Sequence, residues 1–246
     1  ILLPPLMNSP IRNRKGFTLI ELLTVIAIIG ILAAVLFPGI QGVMRSAKKN
    51  SALNKVRSIG QAYVNWAGGT RNIGTGAWSS GKTTTTSTSG YAAILADGAS
   101  LDSGELWFVD ADLAAEAITV IPKTVITKTG TTVALSSAWT TAIGQGKPAW
   151  NTYTPTSRSL AGSTNTPFAW SRGLTTAGAW PAAGAGDTDS IWGIEGGHIC
   201  YGDGHVAWVK DTTTSGTDYF QKTTDGSASA SYLDAIPSTA ALCTLN

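Results

Sequence analysis

Residues Phe17 to Ile40 read FTLIELLTVIAIIGILAAVLFPGI, an apolar run with one charge, Glu21, near its start. Wound as a helix at about 1.5 Å per residue, these 24 positions extend roughly 36 Å, enough to cross a hydrocarbon core of ~30 Å. Arg12, Arg14 and Lys15 precede the run, and the next charge after Glu21 is Arg45. A carboxylate inside such a run costs on the order of 2.5–3.5 kcal/mol if unpaired. A simple anchor has no use for that cost. A segment that joins another chain does, because the neighbour can supply a cation.

Two plainer readings fit less well. A secretory signal has a shorter apolar region, ~7–15 residues, and an Ala-x-Ala-like cleavage site, and no such triplet occurs between residues 17 and 40. An ordinary single-span anchor explains the length and flanking charge but leaves Gly16, Glu21 and Pro38 without a role.

The stretch from Arg14 to Val35, with Gly16-Phe17-Thr18-Leu19-Ile20-Glu21 at its head, resembles the N-terminus of type IV prepilins and type II secretion pseudopilins. The likeness runs through Pro38 to about Trp66. It implies an α+β, pilin-like fold, in which a long N-terminal helix packs on a C-terminal antiparallel sheet. It also implies cleavage between Gly16 and Phe17 by a prepilin peptidase, with N-methylation of the new Phe17 amine. Glu21 would neutralise that amine on an adjacent subunit, and Pro38 would shape the assembly helix. The implied partners are other pilin or pseudopilin subunits, the peptidase, an inner-membrane assembly platform and membrane lipid. The implied location is the inner membrane, crossed once, with the globular part outside the cytoplasm.

The expected organisation has three parts. Residues 1–16 form a basic leader, with Met7 as the expected start and Ile1–Leu6 as an over-extended gene start. Residues 17–67 form the long helix, of which 17–40 lie in membrane. Residues 68–246 form a globular domain ending in a hairpin at 197–209. A leader with three basic residues and no acid suits cytoplasmic retention. Pro38 lacks an N–H, so it should kink the helix rather than end it. Beyond it, Ala52, Val56, Ile59, Tyr63 and Trp66 recur at helical spacing as one apolar stripe, and Gly68-Gly69 stops the helix.

Charge is unevenly spread. With the leader set aside, 14 basic residues face 15 acidic ones, a formal −1. Arg45, Lys48, Lys49, Lys55, Arg57 and Arg71 form a basic stretch free of acids, whereas the chain beyond Arg71 carries 8 basic and 14 acidic residues, a formal −6. An acidic globular part repels phosphate, so no nucleic-acid partner is expected. The Ser/Thr run around residues 79–90 reads as a polar surface loop. Tyr91–Glu116 reads as one or two short helices, followed by strands at Ile118–Ile121, Lys123–Thr127, Thr131–Leu135 and Phe168–Ser171 in a sheet of about four strands.

Gly197-His198-Ile199-Cys200-Tyr201-Gly202-Asp203-Gly204-His205-Val206-Ala207-Trp208-Val209 reads as a hairpin. Asp203-Gly204 suits a two-residue type I′ turn. That register sets Tyr201 opposite Val206 and Ile199 opposite Trp208, as the face packed on the helix. Similar Asp-Gly-His-Val hairpins occur near the C-terminus of pseudopilin-like proteins. The two histidines would lie roughly 13 Å apart, too far to share a metal, and no carboxylate orients a Cys-His pair. No enzyme is expected.

Asp187 and Asp189 cluster in a Gly-rich loop where oxygen ligands could hold calcium, as in the C-terminal loops of major pseudopilins. A solvated acidic turn is the alternative. Cys200 and Cys243, the only cysteines, suggest a disulfide tethering the C-terminal segment in an exported domain, with two buried thiols as the other reading. Of nine tryptophans, Trp139, Trp150, Trp170 and Trp180 lie in Gly/Pro/Thr-rich segments. They either pin loops onto a core or form an exposed sugar-stacking surface. The expected function is therefore a structural filament subunit. The alternative is a membrane-tethered carbohydrate-binding protein or adhesin using those exposed tryptophans.

Overall fold

The computed structural model describes residues 16–68, 87–154, 164–210, 220–236 and 240–245. Residues 1–15 of the basic leader and the Ser/Thr run at 79–86 lie outside them. The chain divides into two units, Ile1–Ala47 and Lys48–Asn246.

Helix α1, Leu19–Gly68, continues through Pro38 without a break in its assignment. In the first unit, Leu19–Phe37 is long and apolar enough to cross a membrane, and none of it is buried. In the second unit the same helix turns amphipathic. Ala52, Val56, Ile59, Tyr63 and Trp66 are all buried, so the apolar stripe is core, as its period requires.

α1 is followed by α2 (Thr88–Gly98), a hairpin of β1 (Ile126–Thr129) and β2 (Thr132–Leu135), and α3 (Ser137–Gln145). Hydroxyl caps start both short helices. Ser87 accepts from the Gly90 N–H and Ser136 from the Trp139 N–H, each at 3.1 Å. Then come β3 (Trp150–Thr154), β4 (Pro167–Ser171), β5 (Gly197–Tyr201) and β6 (Val206–Val209). The β5–β6 hairpin is followed by β7 (Phe220–Gln221), β8 (Ala228–Ser229), α4 (Tyr232–Ala235) and β9 (Ala241–Leu242). Five strands form one sheet in the order β6-β5-β4-β3-β9, antiparallel throughout. The fold is α+β and pilin-like, a long N-terminal helix with a C-terminal antiparallel sheet. Ile118–Ile121, expected as a strand, is irregular.

Both faces of the sheet are covered. One face joins the α1 stripe, α2 and α3 in a cluster that includes Trp107, Trp139, Trp150, Phe168 and Cys200. Tyr63 of α1 stacks on Phe168 of β4, with ring centroids 3.9 Å apart. On the other face, Tyr153, Trp170, Ile199, Tyr201 and Val209 pack with Trp180, Phe220 and Tyr232. Two-sided burial explains why β4 and β5 carry no apolar–polar alternation. It also removes the sugar-stacking surface: Trp139, Trp150, Trp170 and Trp180 are at most 5% exposed.

The hairpin register differs by one residue from the expected one. Cys200 pairs with Val206, Ile199 with Ala207 and His198 with Trp208. The Tyr201 N–H donates to the His205 carbonyl and the Gly204 N–H to the Tyr201 carbonyl, enclosing a three-residue loop. A type I′ turn needs positive φ at both central residues, yet only Gly204, at φ +86°, has it. The Asp203 carboxylate accepts from the His205 N–H at 3.0 Å, which holds the alternative turn. A one-residue slip exchanges the faces. His198, Cys200, Val206 and Trp208 therefore lie with the α1 cluster, while Ile199 and Tyr201 face away from it.

Close packing of Cys200 explains Gly60 in mid-helix. A Cβ at Gly60 would overlap Cys200 Sγ. Gly60→Val is expected to destabilise the protein by about 1–3 kcal/mol through overpacking, and Cys200→Ala in the same chain should relieve most of that loss. Urea titration of the two variants checks this.

The expected disulfide is absent. Cys200 and Cys243 are both buried free thiols. Cys200 is opposite Ala169, Ala169 is opposite Thr152, and the Cys243 N–H donates to the Thr152 carbonyl. The cysteines thus occupy one row with two strands between them. Three inter-strand steps of ~4.8 Å put them roughly 14 Å apart, twice the ~7 Å limit for bridging. Burial also pushes both thiols up, Cys200 to about 12 and Cys243 to about 11, so neither is a ready nucleophile.

Candidate assembly site

At the start of α1 the sequence Thr18-Leu19-Ile20-Glu21 folds as a capping box. Thr18 Oγ1 accepts from the Glu21 N–H at 3.3 Å, while Glu21 Oε2 accepts from the Thr18 N–H at 2.9 Å and its hydroxyl at 2.7 Å. The first helical bond runs from the Leu22 N–H to the Thr18 carbonyl. A negative side chain in the first turn also matches the helix dipole. Both bonds to the carboxylate fall on Oε2, so among the described residues Oε1 has no partner. Phe17, one residue before the cap, is 78% exposed. The sequence left Glu21 without an internal role; the geometry supplies one and still leaves an oxygen for an external cation.

Further along the first unit, Val35, Leu36, Gly39, Ile40, Val43 and Met44 line a shallow apolar depression. Nothing lies within 4 Å of where a Cβ would stand on Gly39 or Gly42. A backbone bare at these positions admits a neighbouring helix closely.

Asp187 and Asp189 do not form a calcium cage. Asp187 pairs with Lys147 at 3.1 Å, while Asp189 Oδ2 accepts from the Gly186 N–H at 2.8 Å. The loop's inward carbonyls serve a protein cation instead. Fully buried Arg172 donates to the carbonyls of Gly184, Gly186 and Asp189 and pairs with the buried carboxylate of Asp112. Burial pushes the Asp112 carboxyl up, against the pull of the guanidinium. No group of three or more His, Cys, Asp or Glu is placed to hold a metal among the described residues.

The histidines are structural and separate. His205, half-exposed, contacts the Asp203 carboxylate at 2.6 Å and stacks on Tyr201. His198 is buried among Trp150, Trp192 and Trp208, and its Nδ1 has no partner among the described residues. Nearby, Lys49 Nζ pairs with Glu195 at 2.7 Å and sits 4.1 Å from the Trp208 ring centre. Burial, aided by Lys49, pulls His198 down from 6.5 to about 4. Between these values the unfolded chain binds the extra proton, so the stability from neutral His198 is complete above pH ~6.5 and drains as pH falls through 4. The loss is expected to reach up to roughly 3 kcal/mol. His198→Phe should flatten that part of the stability–pH curve, read as the difference between variant and parent in urea titrations.

The profile of the prokaryotic N-terminal methylation motif matches residues 11–37, which contain the capping box and most of the apolar run. The chain is 35% identical over 96 residues to the type IV major fimbrial protein FimA of Dichelobacter nodosus, covering 33% of this chain and 60% of that protein. It is 67% identical over 36 residues to the type IV wide pilus major component PilA4 of Thermus thermophilus, covering 15% of this chain and 28% of that protein. The chain therefore spans less than two thirds of the length of either relative. No solved structure matches it. The methylation motif thus lies over a capped, apolar and unburied helix, in a chain similar over part of its length to two type IV pilus proteins.

Proposed function

We propose that the chain is a structural, non-enzymatic filament subunit of a type IV pilus or a type II secretion pseudopilus. The observation that carries this reading is Glu21, a carboxylate on an apolar, unburied helix with one oxygen occupied by its own cap and the other open. A prepilin peptidase cuts between Gly16 and Phe17, and the new Phe17 amine is methylated. That amine, carried by the neighbouring subunit, is the cation Glu21 Oε1 meets during assembly.

In this reading residues 1–16 are the leader and 17–67 the assembly helix. Segment 17–40 rests in the inner membrane, crossing it once, until the assembly platform draws it into the filament. Pro38 and the bare backbone at Gly39 and Gly42 shape the surface that meets other subunits. Residues 68–246 stand on the non-cytoplasmic side. Burial of the four loop tryptophans withdraws support from the adhesin alternative built on them.

The test is fractionation in the native host. The protein should collect in the filament pellet sheared from cells or drawn from the periplasm. Deleting the prepilin peptidase should return it, uncut, to the membrane pool. Equal partition with and without the peptidase would reject the proposal.

A further inference from the structure

The buried Arg172–Asp112 pair poses a question that the assembly helix does not answer. Buried ion pairs add little net stability compared with apolar packing, and are better explained by what they hold in place. Arg172 follows β4 directly and grips segment 184–189 by three carbonyls. Asp189 grips the same segment from within through the Gly186 N–H. The neighbouring turn is tied as well, with Thr175 Oγ1 bonded to both the N–H and the carbonyl of Ala179 at 3.0 Å.

These two fixed segments are walls of a cleft of about 320 Å³ lined by Asn151, Leu174, Thr176, Asp187, Thr188 and Tyr232 among its residues. That volume is at the small end of the ~300–1,000 Å³ range of ligand pockets. Most of its lining is apolar carbon, with a few uncharged polar groups set into it. The Asn151 amide and the Thr176, Thr188 and Tyr232 hydroxyls have no hydrogen-bond partner among the described residues, while Asp187 is balanced by Lys147. The cleft thus offers donors and acceptors without net charge. A preorganised wall is what such a site needs to bind a small polar ligand.

We infer that this cleft binds a neutral saccharide unit, one ring in size, through hydroxyl and amide hydrogen bonds. The site differs from the tryptophan surface considered from sequence, and it does not depend on filament assembly. Asn151, Thr176, Thr188 and Tyr232 meet the sugar hydroxyls, with Leu174 beside the ring. Trp170, its ring tilted against Tyr232 with centroids 4.7 Å apart, serves as a fluorescent reporter.

The test uses the full chain in a detergent without a sugar headgroup, titrated with D-glucose, D-galactose, D-mannose and N-acetyl-D-glucosamine. Saturation-transfer NMR and tryptophan fluorescence are the readouts. At least one sugar should bind saturably with a Kd on the order of 1–10 mM. Thr188→Arg, an exposed substitution that fills the cleft, should weaken it at least ~10-fold, as should Asn151→Ala. Val120→Arg, exposed and outside the cleft, should leave binding unchanged. Failure of every sugar to saturate below ~50 mM would overturn the inference. So would binding indifferent to Thr188→Arg, or an equal response to glycerol.

Discussion

Glu21→Val is expected to leave membrane insertion intact and to empty the filament fraction. The substitution makes the span more apolar, so residence in lipid improves. It removes the anion proposed to meet the Phe17 amine of the next subunit. Pairing that cancels ~2.5–3.5 kcal/mol of carboxylate cost per interface is worth roughly a hundredfold in subunit affinity, and a filament repeats the loss at every subunit. The capping box requires a control, since Glu21→Val also frees the Thr18 N–H. Thr18→Val removes the hydroxyl bonds on both sides of the box but keeps the carboxylate, and should cost only the ~0.5–2 kcal/mol of a lost cap. The ratio of sheared-filament to membrane-pool protein should therefore fall sharply for Glu21→Val and modestly for Thr18→Val. Equal losses in the two variants would make capping, not charge pairing, the role of Glu21.

Arg172→Met should be the most destabilising single change in the globular part, by about 3–5 kcal/mol. It strands Asp112 as an unpaired buried carboxylate and leaves the carbonyls of Gly184, Gly186 and Asp189 without their donor. Against a total of ~5–15 kcal/mol, that is a large fraction. The double variant Arg172→Met/Asp112→Leu removes both charges and should recover much of the loss. Urea denaturation followed by tryptophan fluorescence checks it, and a single variant as stable as the parent would contradict the reading.

Where one side of an element is buried and the other is not, the sequence carries its period. The Ala52–Trp66 stripe was legible for that reason, as was the unbroken apolar run before it. The hairpin position was legible from Asp203-Gly204, but not its register, because β5 is buried on both faces and no alternation selects one. Ser136 and Gly146 supply the cap and the stop of helix α3, but Trp139 and the flanking Thr residues favour loop locally. The free state of Cys200 and Cys243 depends on strand order, which no local pattern encodes. Arg172 was invisible for a similar reason: its carboxylate partner is 60 residues away, and the loop it serves reads locally as a solvated acidic turn or a calcium loop, since the same oxygens suit water or either cation.

The junction between Gly16 and Phe17, just before the long helix, is open to one direct measurement. Mass spectrometry of the N-terminal peptide, on protein from sheared or extracted filaments of the native host, should give a chain beginning at N-methyl-Phe17. A mature chain that begins elsewhere, or a filament-borne chain that still carries residues before Phe17, would contradict it.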